Sequence, residues 1–327
     1  MNVRFIISGL LAALLAFDLS AAAKKAPARK AASSAKTSAA VTQTKAVSKT
    51  KADPVQTAHR RSPYVGAISA VAGGKDRILF EDNADAEAYP ASVTKLMTML
   101  LVLEDIKAGK YQPSSRVTAT ADVYKAEPSV VGLKVGESMT VDDLLMSLMV
   151  KSANDAAIAL GVHSSGSLDA FVARMNARAA ELGMTRTKYY NPNGLPPNKR
   201  NGSKSFNVST CRDQLKLAQL LVTMPQVFKY TSVKVGEVTD GQGNPLRFVN
   251  HNNVMVKDKK KVINPDGSEA VDGLKTGYID AGGSSVVLTG KRNGKRAIVV
   301  VLGSSTADER DAHAARLLSD ALGALAW

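Results

Sequence analysis

A single cysteine, Cys211, stands in 327 residues. It has no partner for an internal disulfide and is too few for a zinc finger or a disulfide-stapled scaffold, so stability must come from packing. Histidine is nearly as scarce. His59, His163, His251 and His313 have no neighbours at metal-ligand spacing, so each reads as structural or solvated, with no metal site and no cofactor implied. The chain also lacks a Gly-x-Ser-x-Gly elbow, a His-Glu-x-x-His helix and a Walker loop, which excludes the hydrolases, zinc peptidases and nucleotide-binding enzymes built on them. No apolar run reaches the roughly 18 residues of a spanning helix.

What remains is a globular composition, 45% hydrophobic and 22% charged, in a chain long enough for one large or two moderate domains. The net charge of +14 is unevenly placed. Between Lys24 and Arg61 ten basic residues face one acid, Asp53, while Ser62 to Trp327 carries only +5. A basic tail on a nearly balanced globule is not the footprint of a nucleic-acid groove binder. Met1 to Arg4, the apolar stretch Phe5 to Phe17 and the small residues Ser20 to Ala23 have the anatomy of a secretory signal, with an uncleaved anchor as the alternative. Residues 24–61, rich in Ala, Lys, Ser and Thr, read as a flexible linker. It is either attracted to anionic envelope polymers or a membrane surface, or a plain spacer. The chain is thus expected in the periplasm or cell envelope.

From Ser62 onward the patterns are those of packed elements. Val65 to Val71 and Arg77 to Phe80 read as a hairpin turning at Gly73 to Asp76. Ser92 to Leu103 is apolar nearly all round, the mark of a buried helix. Val141, Leu144, Leu145, Leu148 and Met149 repeat at helical spacing, as do Phe171, Met175 and Leu182. Val271 to Tyr278, Ser284 to Thr289 and Ala297 to Leu302 read as strands, and Ala307 to Leu325 as a closing helix. Strands at both ends around a helical middle predict an α/β (α+β) domain over 62–327. An antiparallel sheet from about 62–91 and 226–327 is flanked by helices, with an inserted all-helical region over about 92–225.

The chemistry starts at Ser92 and Lys95. Residues i and i+3 of a helix share a face, so an amine can stand beside a hydroxyl, and a buried lysine loses proton affinity and can act as a base. Alone the pair is weak, because Ser33 to Lys36 and Ser48 to Lys51 repeat it in the linker. Ser152-Ala153-Asn154 has a similar idle copy, Ser205-Phe206-Asn207. The order carries the weight: Ser92 to Lys95 opens an apolar helix, Ser152 lies 60 residues on at the end of another, and Lys275-Thr276-Gly277 lies 123 residues further, on a strand.

These three motifs together are the known signature of penicillin-binding proteins and class A β-lactamases. From about Tyr64 to its end the chain resembles the low-molecular-mass penicillin-binding proteins of the D-alanyl-D-alanine carboxypeptidase family. The likeness rests on Pro90 to Thr98, Leu133 to Glu137, Ser152 to Ala157, Met175-Asn176 with Leu182 to Met184, Ser209 to Asp213 and Asp272 to Tyr278. It implies a DD-peptidase/β-lactamase-like fold, peptidoglycan stem peptides as substrate and β-lactam antibiotics as covalent inhibitors. Ser92 is then the nucleophile and Lys95 its base. Ser152 relays a proton to the leaving amine, and Asn154 holds the substrate amide. Lys275 and Thr276 take the terminal carboxylate, and the N–H groups of Ser92 and Tyr278, beside Gly277, form an oxyanion hole. Arg310 matches a family arginine that assists the carboxylate; the alternative is a helix-surface ion pair with Asp308 or Asp311.

Two features depart from the family pattern. The sequence ends about 50 residues past Lys275, which leads one to expect neither the second β-rich domain nor the amphipathic anchor common in the family. Asn198 to Ser205 and Lys257 to Ser268 look like insertions beside the cleft, either tuning substrate choice or merely solvated. The resemblance favours a carboxypeptidase. A DD-endopeptidase cutting crosslinks is the alternative, and a non-catalytic wall-binding protein would not need Ser92 and Lys95 together. A class A β-lactamase is disfavoured because no Glu-x-x-Leu-Asn segment lies between Asn154 and Lys275.

Overall fold

A computed structural model of the chain describes residues 64–72, 77–198 and 202–325. The expected signal segment, the basic linker, the turn at 73–76 and part of the 198–205 insertion lie outside them. In chain order come β1 (Gly66–Ala72), β2 (Arg77–Asp82), α1 (Lys95–Lys107), β3 (Arg116–Thr118), β4 (Ser138–Thr140), α2 (Val141–Met146), α3 (Asn154–Ser165), α4 (Leu168–Glu181), α5 (Cys211–Leu221) and α6 (Phe228–Thr231). They are followed by β5 (Val235–Thr239), β6 (Pro245–Val249), α7 (Asn253–Val256), β7 (Val271–Ile279), β8 (Gly283–Arg292), β9 (Lys295–Ser304) and α8 (Ala307–Gly323).

Five strands form one antiparallel sheet in the order β2-β1-β9-β8-β7. The last strand, β9, pairs with the first, β1, from Gly66 opposite Leu302 to Ala72 opposite Arg296. This pairing explains why β8 and β9 read as near-continuous apolar runs: both faces of the sheet are covered. Ile298, Val300 and Leu302 join the core on the helical side, with Leu96 and Leu100 of α1. Their neighbours Ala297, Val299 and Val301 pack under Leu317, Leu318 and Leu322 of α8. Successive side chains alternate between two cores, as strand geometry requires. Helix α1 is buried along nearly its whole length, from Lys95 to Leu103 and again at Asp105. Helix α8 opens with a reciprocal cap between Thr306 and Glu309.

The region expected to be all helical carries a ribbon, β3 paired with β4. Strands of three residues are too short to show alternation. The β5–β6 hairpin also escapes the pattern, since buried Gly236 and exposed Val235 blur its period of two. Strand β7 is an edge of the large sheet, and it presses on the turn before α1. A Cβ built on Gly277 would lie 2.7 Å from the Pro90 carbonyl oxygen and 2.9 Å from the Ser92 nitrogen. Only glycine permits that approach, which sets one wall of a cleft directly against Ser92.

Candidate active site

Ser92 lies not in the α-helix itself but in a 3-10 turn, Ala91–Thr94, that runs straight into α1. In such a turn residues i and i+3 eclipse, so Ser92 stands directly over Lys95. Ala91, just before it, has φ of +50°, a left-handed conformation costly for a residue with a Cβ, of order 1–3 kcal/mol.

Lys95 is fully buried. Its Nζ lies 2.8 Å from Ser92 Oγ, 2.7 Å from Asn154 Oδ1 and 2.8 Å from the carbonyl oxygen of Asn193. Two of these neighbours are oxygens that can only accept. A neutral amine satisfies them with its two hydrogens, and its lone pair then faces the Ser92 hydroxyl. Burial first, and then the positive charge of Lys275, hold the Lys95 pKa well below its ordinary value, while Asp155 acts in the opposite sense. The arrangement therefore favours the form that can take the Ser92 proton.

Asn154 begins α3, where the sequence leads one to expect a contact with the substrate amide. Its carboxamide accepts from Lys95 and donates 2.7 Å to the Glu127 carbonyl, so on the cleft wall it also holds the Lys95 amine. Its neighbour Asp155, buried, accepts from the backbone N–H groups of Val131, Gly132 and Leu133. That grip fixes the segment bearing Pro128 and Ser129, which line the cleft. Ser152 follows a π-helical turn, Ser147–Lys151, and has φ of +61°. Wide turns of this kind recur at functional sites, and here one delivers the Ser152 side chain into the cleft instead of continuing the helix.

The cleft, about 270 Å³, is also lined by Thr276, Tyr278 and Arg310. Lys275 is buried on β7, with its Nζ donating to the Thr276 carbonyl at 3.0 Å. Burial, reinforced by the charge of Arg310, pushes its pKa down to about 7. Tyr278 is exposed and donates to Asp280 at 2.8 Å. Arg310, in the first turn of α8, lines the cleft and is paired with Asp311. The pair is buried, however, and not on the helix surface.

Some site residues carry no motif. Asn193 contributes its backbone carbonyl, an atom every residue type possesses. Gly194 beside it has φ of +84°, and a Cβ there would lie 1.8 Å from the Ala91 carbonyl oxygen. The loop holding both is tied to α1 by Thr98 Oγ1 donating to the Pro192 carbonyl. It is tied again through Asn207, whose Nδ2 donates to Thr94 Oγ1 and to the Asn191 carbonyl. Asn207 belongs to the Ser205-Phe206-Asn207 copy dismissed as idle, and it acts as a buried strut. His251, expected to be structural or solvated, is exposed and lies on the cleft wall. Partial desolvation there and the charges of Lys275, Lys151, Lys95 and Arg310 push its pKa down to about 4. Cys211 is buried on α5, and burial raises its thiol pKa far above the ordinary range. Among the described residues no group of His, Cys, Asp or Glu side chains is placed to hold a metal ion.

Comparison with known proteins agrees with this architecture. Residues 56–306 match the family model described as D-alanyl-D-alanine carboxypeptidase. The chain is 32% identical over 254 residues to D-alanyl-D-alanine carboxypeptidase DacF of Bacillus subtilis, covering 77% of this chain and 61% of that one. It is 32% identical over 251 residues to D-alanyl-D-alanine carboxypeptidase DacA of Escherichia coli, covering 74% and 57%. It thus spans about three fifths of the length of these curated relatives. Penicillin-binding protein D2 of Listeria monocytogenes, solved in its ampicillin-bound form, superimposes with a TM-score of 0.64 at 28% identity, covering 79% of this chain and 97% of that one. With the family model spanning most of the folded region and the same fold in a penicillin-binding protein, the chain belongs to the D-alanyl-D-alanine carboxypeptidase family of serine peptidases.

Proposed function

We propose that this protein is a serine D-alanyl-D-alanine carboxypeptidase of the cell envelope that trims peptidoglycan stem peptides and is acylated by β-lactams. The observation that carries the reading is the buried Lys95 amine, 2.8 Å from Ser92 Oγ, with two acceptors fixing its hydrogens. Ser92 Oγ attacks the carbonyl between the two D-alanines as its proton passes to Lys95. The proton moves on through Ser152 to the leaving amine, the C–N bond breaks, and terminal D-alanine departs. Water then cleaves the Ser92 ester and restores the hydroxyl. The N–H groups of Ser92 and Tyr278 hold the oxyanion, a contribution of about a hundred- to a thousandfold per donor. Lys275, Thr276 and Arg310 receive the terminal carboxylate. Asn154 acts through Lys95, which it orients.

A labelled penicillin tests the reading. The adduct is expected on the peptide containing Ser92 and is expected to vanish in Ser92→Ala. In Lys95→Met acylation should slow by at least roughly a hundredfold, the lower range for loss of a general base. An adduct mapped to another serine, or retained in Ser92→Ala, overturns the assignment.

A further inference from the structure

The acid next to Arg310 is one that no motif accounts for. Arg310 Nε and Nη2 both donate to Asp311 Oδ1, the former at 2.9 Å. Among the described residues Asp311 is the one side chain bonded to this guanidinium. Two of its five N–H donors are thereby used, and the opposite edge is left for the cleft that Arg310 lines. Asp311 is itself immobilised. Its Oδ2 accepts from Asn253 Nδ2 at 3.0 Å and from Lys260 Nζ at 2.9 Å. Lys260 belongs to the lysine run within the 257–268 insertion, and it also pairs with the exposed Asp308. The insertion is therefore linked to the cleft through one buried carboxylate.

We propose that Asp311 is a positioning residue that aims Arg310 at the substrate's terminal carboxylate, and that Lys260 completes the device by fixing Asp311. The proposal rests on the carboxypeptidase reading above. The alternative, an ion pair that merely stabilises α8, would leave substrate preference unchanged. A guanidinium gripped along one edge presents a fixed fork to a planar anion, whereas a free one samples many rotamers. Asp311 also offsets the charge of Arg310, which acts on Lys275. Asparagine at 311 would keep one neutral acceptor for Arg310 but turn a donor amide toward the donors of Asn253 and Lys260, so the fork loses both its charged partner and the anchorage that fixes it.

The test uses two thioesters of an N-acyl-D-alanine, one with a carboxylate-bearing leaving group (thioglycolate) and one with a neutral leaving group (ethanethiol). In Asp311→Asn, kcat/KM is expected to fall roughly ten- to a hundredfold more for the carboxylate thioester than for the neutral one, chiefly through KM. Lys260→Met, which removes a partly exposed side chain and leaves Asp311 its bonds to Arg310 and Asn253, should show the same bias at about two- to fivefold. It keeps the proposal open to refutation should Asp311→Asn fail to fold. Lys259→Met, in the same run but exposed, should change neither rate. Equal losses on both thioesters in Asp311→Asn, or no bias in Lys260→Met, overturn the positioning role alone. A wild-type protein inert toward both overturns the peptidase reading and this inference with it.

Discussion

At the residue scale the proposed mechanism sets two buried lysines to opposite tasks, and burial lowers the pKa of both. Lys95 must be neutral to take a proton, whereas Lys275 must be charged to attract a carboxylate. Acylation by an anionic penicillin should therefore rise as Lys95 loses its proton and fall as pH climbs through about 7, where Lys275 loses its charge. Rates measured against pH check this, and in Lys275→Met the alkaline fall should disappear along with most of the activity. The same shift has a cost in stability. An unfolded lysine titrates near about 10.4, so between pH 7 and that value the unfolded chain binds the extra proton and stability increases with pH; below 7 the buried charge counts fully against folding. Lys275→Met should accordingly raise the melting temperature, most below pH 7 and least near pH 10, as read by thermal unfolding. A melting temperature lowered at every pH would contradict it. Ser92, Lys95, Ser152, Asn154 and Lys275 were legible in the sequence because their motifs share an order and a spacing. Asn193 was not, since it acts through its backbone, and neither was the buried setting of Asp311, since an Arg-Asp dipeptide on a helix looks the same in water as in a core.

At the element scale the site depends on backbone that bends where sequence gives little warning. Ala91 and Ser152 both hold left-handed conformations without being glycine, so no glycine signal marks the two turns that present the Ser92 and Ser152 hydroxyls. Gly194 is the one visible clue. Substituting alanine there forces a Cβ into the Ala91 carbonyl, so either the nucleophile turn or the Asn193 carbonyl must move. Gly194→Ala is expected to lower stability by about 1–3 kcal/mol and to slow acylation by more than that loss explains, measured by denaturant unfolding alongside penicillin binding. Ordinary acylation in a folded Gly194→Ala would show that the Asn193 contact is dispensable. Strands β7 to β9 and helices α1 and α8 could be read from their apolar pattern because each is long and buried. The ribbon of β3 and β4 is too short to leave such a pattern.

At the scale of the whole molecule, the sheet separates two cores, and the helix that carries Lys95 belongs to one of them. Leu318 on α8 is fully buried in the core remote from α1. Leu318→Ala should destabilise the protein by about 2–5 kcal/mol, yet leave the acylation rate nearly unchanged at temperatures where it stays folded. A comparable loss of acylation in that folded variant would mean that the two cores are coupled. The general plan, a sheet closed by the C-terminal strand with helices on it, was legible from the strand-helix-strand order. Residues 275–278 were grouped with Ser92 from their motif, but that β7 is an edge strand pressed on the turn before α1 was not legible, because it depends on Gly277 meeting Pro90, residues far apart in sequence. The central claim, that Ser92 and Lys95 remove a terminal D-alanine, is tested most directly by incubating the purified protein with defined muropeptides and identifying the products by mass spectrometry. The account predicts that uncrosslinked pentapeptides become tetrapeptides with release of one D-alanine, and that Ser92→Ala abolishes the reaction. Intact pentapeptides beside severed crosslinks, or D-alanine release that survives Ser92→Ala, would contradict it.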